Sequence, residues 1–383
     1  MSKQIPFSKS DNSVLDTTLF QDAVKTARTL VPLKSLRENF LEDLFSHASV
    51  QSVVKDQIVF NEGTFDYQHV YLISGHIELQ YDNGYKDFVR ARDTLSPVAH
   101  QQPRPARAVT VTDSTILRID SDRLERTLAW SEIAQYLLSD LAVDRKFDDD
   151  IEWMQTVLAS NLFFKVPPVN VEQIYGKMTP VPVSNGDVVI VQGDIGDCCY
   201  FIKSGNADVT IRPHRDAQQI KVAEITTGRC FGEDALVNET IRNATITMTS
   251  DGELMRLEKS DFQILLTEPV VEEATEATLS GMEEKPIFID VRTEDEYREG
   301  HLSFSANVPL KLLALKKRLL DKSQVYVTYC DTGVRSRAAA FLLAKEGYKV
   351  FALQGGLRHQ TDIEQLVAEE GYILKNGQLV ESS

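Results

Sequence analysis

The apolar residues of this 383-residue chain fall in a pattern that repeats once and then changes. From Gln57 to Leu79, QIVFNEGTFDYQHVYLISGHIEL alternates short apolar runs with Gly, Asn and Asp turns. The same arrangement returns at an offset of 130 in DVVIVQGDIGDCCYFIKSGNADV, Asp187 to Val209. Gly63 falls on Gly193, Tyr71-Leu72-Ile73 on Phe201-Ile202-Lys203, and Gly75 on Gly205. Further on, ILRIDSDRLERTL (Ile116 to Leu128) resembles LMRLEKSDFQILL (Leu254 to Leu266). Alternation broken by turn formers predicts short antiparallel strands, and its recurrence predicts two small β-barrels or sandwiches. Helical spacing flanks them, in LKSLRENFLEDLFSHA before the first copy and SEIAQYLLSDLAVDRKFDDDIEWMQTVL between the two.

After the second copy, VVEEATEATLSGMEEK (Val270 to Lys285) offers glutamates and small residues with few large apolar ones, which predicts a solvated linker. Then PIFIDV, VYVTYC and KVFALQGG read as compact strands, with helices opening at TEDEYREG and after the second strand. Strand and helix in alternation predict a parallel α/β sheet. The expected architecture is multidomain: a tail (1–30), two β-barrel blocks of jelly-roll type with flanking helices (31–150 and 151–268), an acidic linker (269–284) and an α/β domain (285–383).

Composition narrows the partners. Acidic residues outnumber basic ones, 57 to 41, for a formal charge of -16. That balance disfavours DNA, whose binding rests on Lys and Arg neutralising phosphates. No apolar run approaches the ~20 residues that span a bilayer, and MSKQIPFSKSDNSVLD lacks the plan of a signal peptide. A cytosolic chain without a membrane segment is expected. Four cysteines are too few for a disulfide scaffold. Adjacent Cys198 and Cys199 in a strand point to opposite faces and are expected to fill core. With no His at ligand spacing, no metal is expected.

Chemistry enters in the second copy, at CFGEDALVNETIRNATITM (Cys230 to Met248). Phe231-Gly232-Glu233 can make a tight turn, and DALVNE a short helix whose first N–H groups face an anion. Arg242 adds a guanidinium, the natural fork for phosphate oxygens. Taken singly, Glu233 or Arg242 is more often a solvated surface residue. Together, Phe231, Gly232, Glu233, Ala235, Leu236, Arg242, Ala244 and Thr245 resemble the phosphate-binding cassette of the cyclic-nucleotide-binding domain family, over roughly Ser160 to Glu268. The framework Gly186, Asp187, Gly193, Tyr200, Ile202 and Gly205 resembles that family too. The resemblance implies a regulatory ligand, with Glu233 on the ribose 2'-hydroxyl, Arg242 on the cyclic phosphate, and Gly232, Ala235 and Leu236 lining the turn. Asp234 and Ile241 depart from the family pattern, and Asp234 adds negative charge near the phosphate. Asn243, after the arginine, leaves the base open between cAMP and cGMP; family frequency favours cAMP.

The first copy lacks the cassette. LSPVAHQQPRPARAVTV (Leu95 to Val111) has no Glu to match Glu233, and Pro97, Pro103 and Pro105 oppose a short helix. Arg107, followed by Ala108 and Thr110, takes the phosphate-arginine position in this reading. The expectation is a degenerate domain kept for packing or dimerisation. No DNA-reading helix-turn-helix follows the second copy, unlike in catabolite activator proteins.

In the third block YCDTGVRSRAAAFLLAKEGY (Tyr329 to Tyr348) sets a cysteine before a short loop and a helix. Such a loop can turn its N–H groups inward beside the positive helix end, a cradle for a thiolate. Gly333 permits the curl, Arg335 adds a cation, and Ser336 is positioned to cap the helix. On the loop alone, Cys330 is equally well a small apolar residue ending a buried strand. With IFIDVRTEDEYREGHLSFSANVPL and VFALQGGL around it, the block resembles the rhodanese family over most of Lys285 to Glu370. That resemblance implies sulfurtransferase chemistry, in which Cys330 takes sulfane sulfur from a small donor such as thiosulfate, holds it as a persulfide, and passes it to a thiol or cyanide-like acceptor. Asp331, Thr332, Gly333, Val334 and Arg335 would form the cradle, with Asp290 and Arg292 supporting it from below. A six-residue C-x-x-G-x-R loop is the length linked to sulfur transfer in that family. Asp331 raises the thiol pKa if its charge faces inward, and Phe304 stands where the family has Gly.

Two function classes follow. One is a cyclic-nucleotide-responsive enzyme, a thiosulfate sulfurtransferase by resemblance. The other is a binding or scaffold protein whose third domain senses or docks. A homodimer is compatible with the long helices beside the barrels.

Overall fold

The computed structural model describes residues 13–144, 167–170, 176–214, 217–267, 270–359 and 371–381. The chain divides into two compact units with the main break after Glu125; the first also takes in Thr293–Gly300.

In the first unit lie β1 (Ser49–Val53), β2 (Ile58–Phe60), β3 (Gln68–Ser74), β4 (His76–Gln80), β5 (Lys86–Arg90), β6 (Arg107–Thr110) and β7 (Ser114–Asp120). They pair as two sheets, β1-β7-β3 and β2-β6-β4-β5. Val70, Leu72 and Ile116 from one sheet share a core with Val59, Ile77, Leu79 and Ala108 from the other. Of the two expected forms, barrel or sandwich, this is a sandwich, because no ladder among the described residues joins the two sheets. As the prolines required, no helix forms between β5 and β6.

The second unit repeats the plan with β8 (Thr179–Val183), β9 (Val188–Ile190), β10 (Cys198–Ser204), β11 (Asn206–Ile211), β12 (Ile220–Thr226), β13 (Cys230–Phe231), β14 (Thr245–Met248) and β15 (Gly252–Glu258). Its sheets are β13-β10-β15-β8 and β12-β11-β14-β9. Cys198 and Cys199 of β10 are both buried, and all four cysteines of the chain are free thiols. The two sandwiches match in register: Ile77 pairs with Thr110 as Ala207 pairs with Met248. The offset is thus 130 before the cassette but 138 after it (207 − 77 and 248 − 110).

The third sheet has seven strands, in the order β16-β20-β19-β17-β18-β21-β22. They are β16 (Glu273–Ala274), β17 (Ile287–Asp290), β18 (Ser305–Asn307), β19 (Val325–Tyr329), β20 (Lys349–Leu353), β21 (Tyr372–Lys375) and β22 (Gln378–Glu381). Every pairing is parallel except β21 with β22. The solvated linker is corrected. Its β16 adds to the sheet beside β20, burying Ala274, and helix Glu276–Ser280 follows with Thr275 as its cap. Small residues that look unstructured in isolation are the ones a sheet edge can take in. Helix Glu294–Glu299 opens with a full capping box of Thr293 and Glu296, as its sequence predicts.

Helix Ser121–Asp144 begins the helical stretch expected between the copies; residues 145–158 of that stretch lie outside the described residues. Nearly every side chain from Leu124 to Leu137 is buried, including Glu125 and Glu132. No helix among the described residues is long and apolar enough to cross a membrane.

Candidate functional site

Two anion cradles were expected, one around Arg242 and one around Cys330. In the first, β13 brings Phe231 into the core, where its ring stacks on Tyr200 with centroids 5.4 Å apart. Gly232 then turns left-handed at φ 85 and starts helix Glu233–Val237. A Cβ there would lie 2.8 Å from Arg242 Nη1, so the glycine lets the guanidinium pass beneath the turn. Glu233, Ala235, Leu236, Arg242 and Ala244 are buried, while Asp234 and Asn243 are exposed. Nη1 of Arg242 donates to the Gly232 carbonyl at 2.8 Å, and Nη2 to the Cys198 carbonyl at 2.8 Å. Nη2 also meets Asp197 Oδ1 at 3.0 Å. A groove of about 600 Å³ runs alongside, lined by Arg242, Asn243, Gly193 and Thr245 together with Arg212 and His214. Gly232 and Glu233 do not line it.

Asp197 is a residue that sequence reasoning missed. Its carboxylate bridges Arg242 and Arg256, at 3.0 and 3.2 Å. Burial acts to raise its pKa, but hydrogen bonds from Cys198 and its own backbone, with the two guanidinium charges, hold it below the usual carboxylate range. Burial raises the Cys198 thiol, and burial with the Cys198 contact pushes Tyr200 up to about 12. Cys198 is thus held as a neutral thiol, in keeping with a core role.

Arg107 is not the counterpart of Arg242. It is exposed on β6, and the register places Arg104 there instead (242 − 138). Backbone bonds agree: Gly63 and Gly193 each donate to the arginine carbonyl at 2.9 Å, and the arginine N–H returns to Thr64 or Asp194. The overlooked signal is Arg104-Pro105-Ala106, which mirrors Arg242-Asn243-Ala244. Arg104 is wholly buried, paired with Asp66 at 2.7 Å, and donates to the carbonyls of Gln68, Val98 and Ala99.

The second cradle follows β19. Gly333 is left-handed at φ 92 and caps helix Val334–Lys345, and its N–H donates to Cys330 Sγ at 3.2 Å. Ser336 is not the cap. The chain turns into the helix at Gly333, so Ser336 sits inside the first turn, where its hydroxyl donates to the Gly333 carbonyl at 3.1 Å and lies 3.7 Å from Cys330 Sγ. Thr332 is half-buried, its hydroxyl 3.5 Å from the Val334 N–H. Asp331 does not oppose the thiol with a free charge: Arg292 Nη1 donates to Asp331 Oδ1 at 2.9 Å, while Nε and Nη2 of the same guanidinium hold Asp290. The Arg292 guanidinium thus links Asp290 to Asp331 of the loop. Phe304 has a left-handed backbone (φ 57), and its ring packs on Tyr372 with centroids 5.4 Å apart.

Two more residues, Gly356 and Glu132, reach the cradle from outside the loop. Gly356, in the turn after β20, lies so close that a Cβ would press on the Cys330 carbonyl and sit 2.7 Å from Gly333 N. Arg335, fully buried, faces Glu132 of helix Ser121–Asp144, Nη1 to Oε1 at 3.8 Å. Its signal in sequence is a lone carboxylate inside LAWSEIAQYLL.

Known proteins bear on both sites. Residues 180–268 match the cyclic nucleotide-binding domain, and residues 274–359 match the rhodanese-like domain. The chain carries one of each, in that order. Curated relatives include the cAMP-dependent protein kinase regulatory subunit of Eremothecium gossypii, 30% identical over 45% of this chain and 33% of the relative. The same subunit of Mucor circinelloides is 25% identical over 61% of this chain and 51% of its own length. The cGMP-dependent protein kinase of Plasmodium berghei is 32% identical over 32% of this chain and 14% of its length. The chain thus spans about half or less of these relatives. Among solved structures, the regulatory subunit of a cAMP-independent protein kinase A from Trypanosoma cruzi covers 69% of this chain and 88% of that one, at 17% identity and a TM-score of 0.28. The catabolite activator protein of Thermus thermophilus covers 27% and 49%, at 28% identity and a TM-score of 0.25.

Proposed function

We propose that this is a cytosolic cyclic-nucleotide-responsive protein with a sulfur-transferring output domain. The nucleotide-binding domain takes cAMP ahead of cGMP, with Arg242 on the cyclic phosphate and Glu233 on the ribose. The donor set supports this, since a guanidinium under a glycine turn at a helix start suits a phosphodiester. The first sandwich is a degenerate copy without a ligand, its arginine committed to Asp66 and three carbonyls.

In the rhodanese-like domain the Cys330 thiolate attacks the outer sulfur of thiosulfate. The S–S bond breaks, sulfite leaves with its electron pair, and Cys330 holds a persulfide. Cyanide, or a thiolate, then takes the outer sulfur and returns the thiolate. The observation that carries this reading is the Gly333 N–H aimed at Cys330 Sγ, where it stabilises charge on sulfur. Thiocyanate formation from thiosulfate and cyanide tests it; turnover abolished in Cys330→Ser supports the reading, and equal rates in the two proteins refute it.

The complete burial of Cys330 favours a second reading, in which the domain senses or docks without turnover. Absence of thiocyanate formation under all conditions would select it.

A further inference from the structure

Arg335 and Glu132 make the least expected pair in the second unit. An arginine at the start of the helix beside a cysteine cradle should present its charge to an incoming anion. Here the guanidinium has no solvent exposure and the carboxylate facing it has 3%. Isolated charges are costly to bury, so each stabilises the other's presence there. The neighbourhood is closed as well: Cys330, Arg335 and Ser336 are completely buried and Asp331 nearly so. A nucleophile in that state cannot meet a donor in solution.

We infer that Glu132 is a built-in competitor for the anion place of the Cys330 cradle, and that helix Ser121–Asp144 is the latch that holds the cradle shut. An anionic sulfur donor and the Glu132 carboxylate call on the same guanidinium, so the donor enters only when Glu132 withdraws. The placement supports this in three ways. Glu132 is buried in the apolar middle of the helix, between Trp130 and Ile133, where a carboxylate has no packing advantage. It belongs to the helix rather than to the catalytic domain, so it can leave without dismantling the cradle. And that helix precedes the nucleotide-binding domain in the chain. The inference rests on the sulfurtransferase reading for its biological meaning but not for its test.

The test uses the full chain and mass-spectrometric reading of Cys330 alkylation by iodoacetate, an anion, and iodoacetamide, its neutral counterpart. Glu132→Gln removes the charge at nearly constant shape; Glu132→Asp keeps it but draws it back from Arg335, and serves where the glutamine variant fails to fold. Iodoacetate labelling should rise by about fivefold or more in Glu132→Gln, less in Glu132→Asp, and by more than iodoacetamide labelling in both. In parallel, the KM for thiosulfate should fall with little change in kcat. An iodoacetate-to-iodoacetamide ratio equal to wild type in the folded variants overturns the inference. If no protein turns over thiosulfate, the sulfurtransferase reading fails, and the alkylation ratio still decides the role of Glu132.

Discussion

Arg104 and Arg242 occupy matching places in the two sandwiches, each exchanging backbone hydrogen bonds with the turn that begins at Gly63 or Gly193. Their guanidinium groups are used differently. Arg104 meets Asp66 through Nε and Nη2 and spends Nη1 on two carbonyls, with its face 4.3 Å from the Phe60 ring centroid. Arg242 meets its carboxylate through Nη2 alone and lies on the wall of a groove.

Arg104→Ala should therefore act on stability. It strands Asp66 and three carbonyls, and a broken buried charge network costs about 3 kcal/mol or more. A fall in the first thermal transition with unaltered nucleotide affinity is the expected result. Loss of affinity with unaltered melting would show that the first sandwich binds nucleotide.

Gly356 and Gly347 both have left-handed backbones, at φ +64 and +86, but only Gly356 is crowded. At Gly347 the nearest atom to an added Cβ is Lys322 Nζ, 4.0 Å away. Gly347→Ala should cost about 1 kcal/mol from strain alone. Gly356→Ala must also push the Cys330 loop aside, and should cost about 2 kcal/mol beyond that. Chemical denaturation of the two variants measures the difference; equal losses would mean that the Gly356 turn does not brace the cradle.

Asp197 sets a pH dependence. Its pKa in the folded chain lies below its ordinary value of 3.8, so between the two values the group binds fewer protons folded than unfolded. The stability it contributes is present above pH ~4 and is lost as pH falls through the lowered value. Asp197→Asn should flatten the acid limb of the stability profile. An acid limb identical to wild type would assign the depression elsewhere.

The alternation of apolar runs and turns made the two sandwiches legible, and the strand–helix alternation did the same for the third sheet. Capping residues such as Thr293 and Glu296 gave local boundaries because their hydrogen bonds span only three residues. What escaped was set by distance or by register. Arg107 rather than Arg104 stands out in sequence because the second sandwich has eight more residues between its paired strands (41 against 33, 248 − 207 and 110 − 77), and only strand pairing reveals where they fall. The strand at Glu273–Ala274 is too short and too polar to announce itself; β20 supplies its partner. Glu132 and Asp197 reach their arginines across 203 and 45 positions (335 − 132 and 242 − 197), a separation on which local pattern is silent.

Calorimetric titration of cAMP and cGMP against the full chain, beside Arg242→Ala and Glu233→Ala, tests the central claim most directly. The account requires saturable binding of at least one of the two nucleotides at a single site, with either substitution weakening it by about 2 kcal/mol or more, roughly thirtyfold. No heat from either nucleotide, or affinity that survives the loss of Arg242, would contradict it.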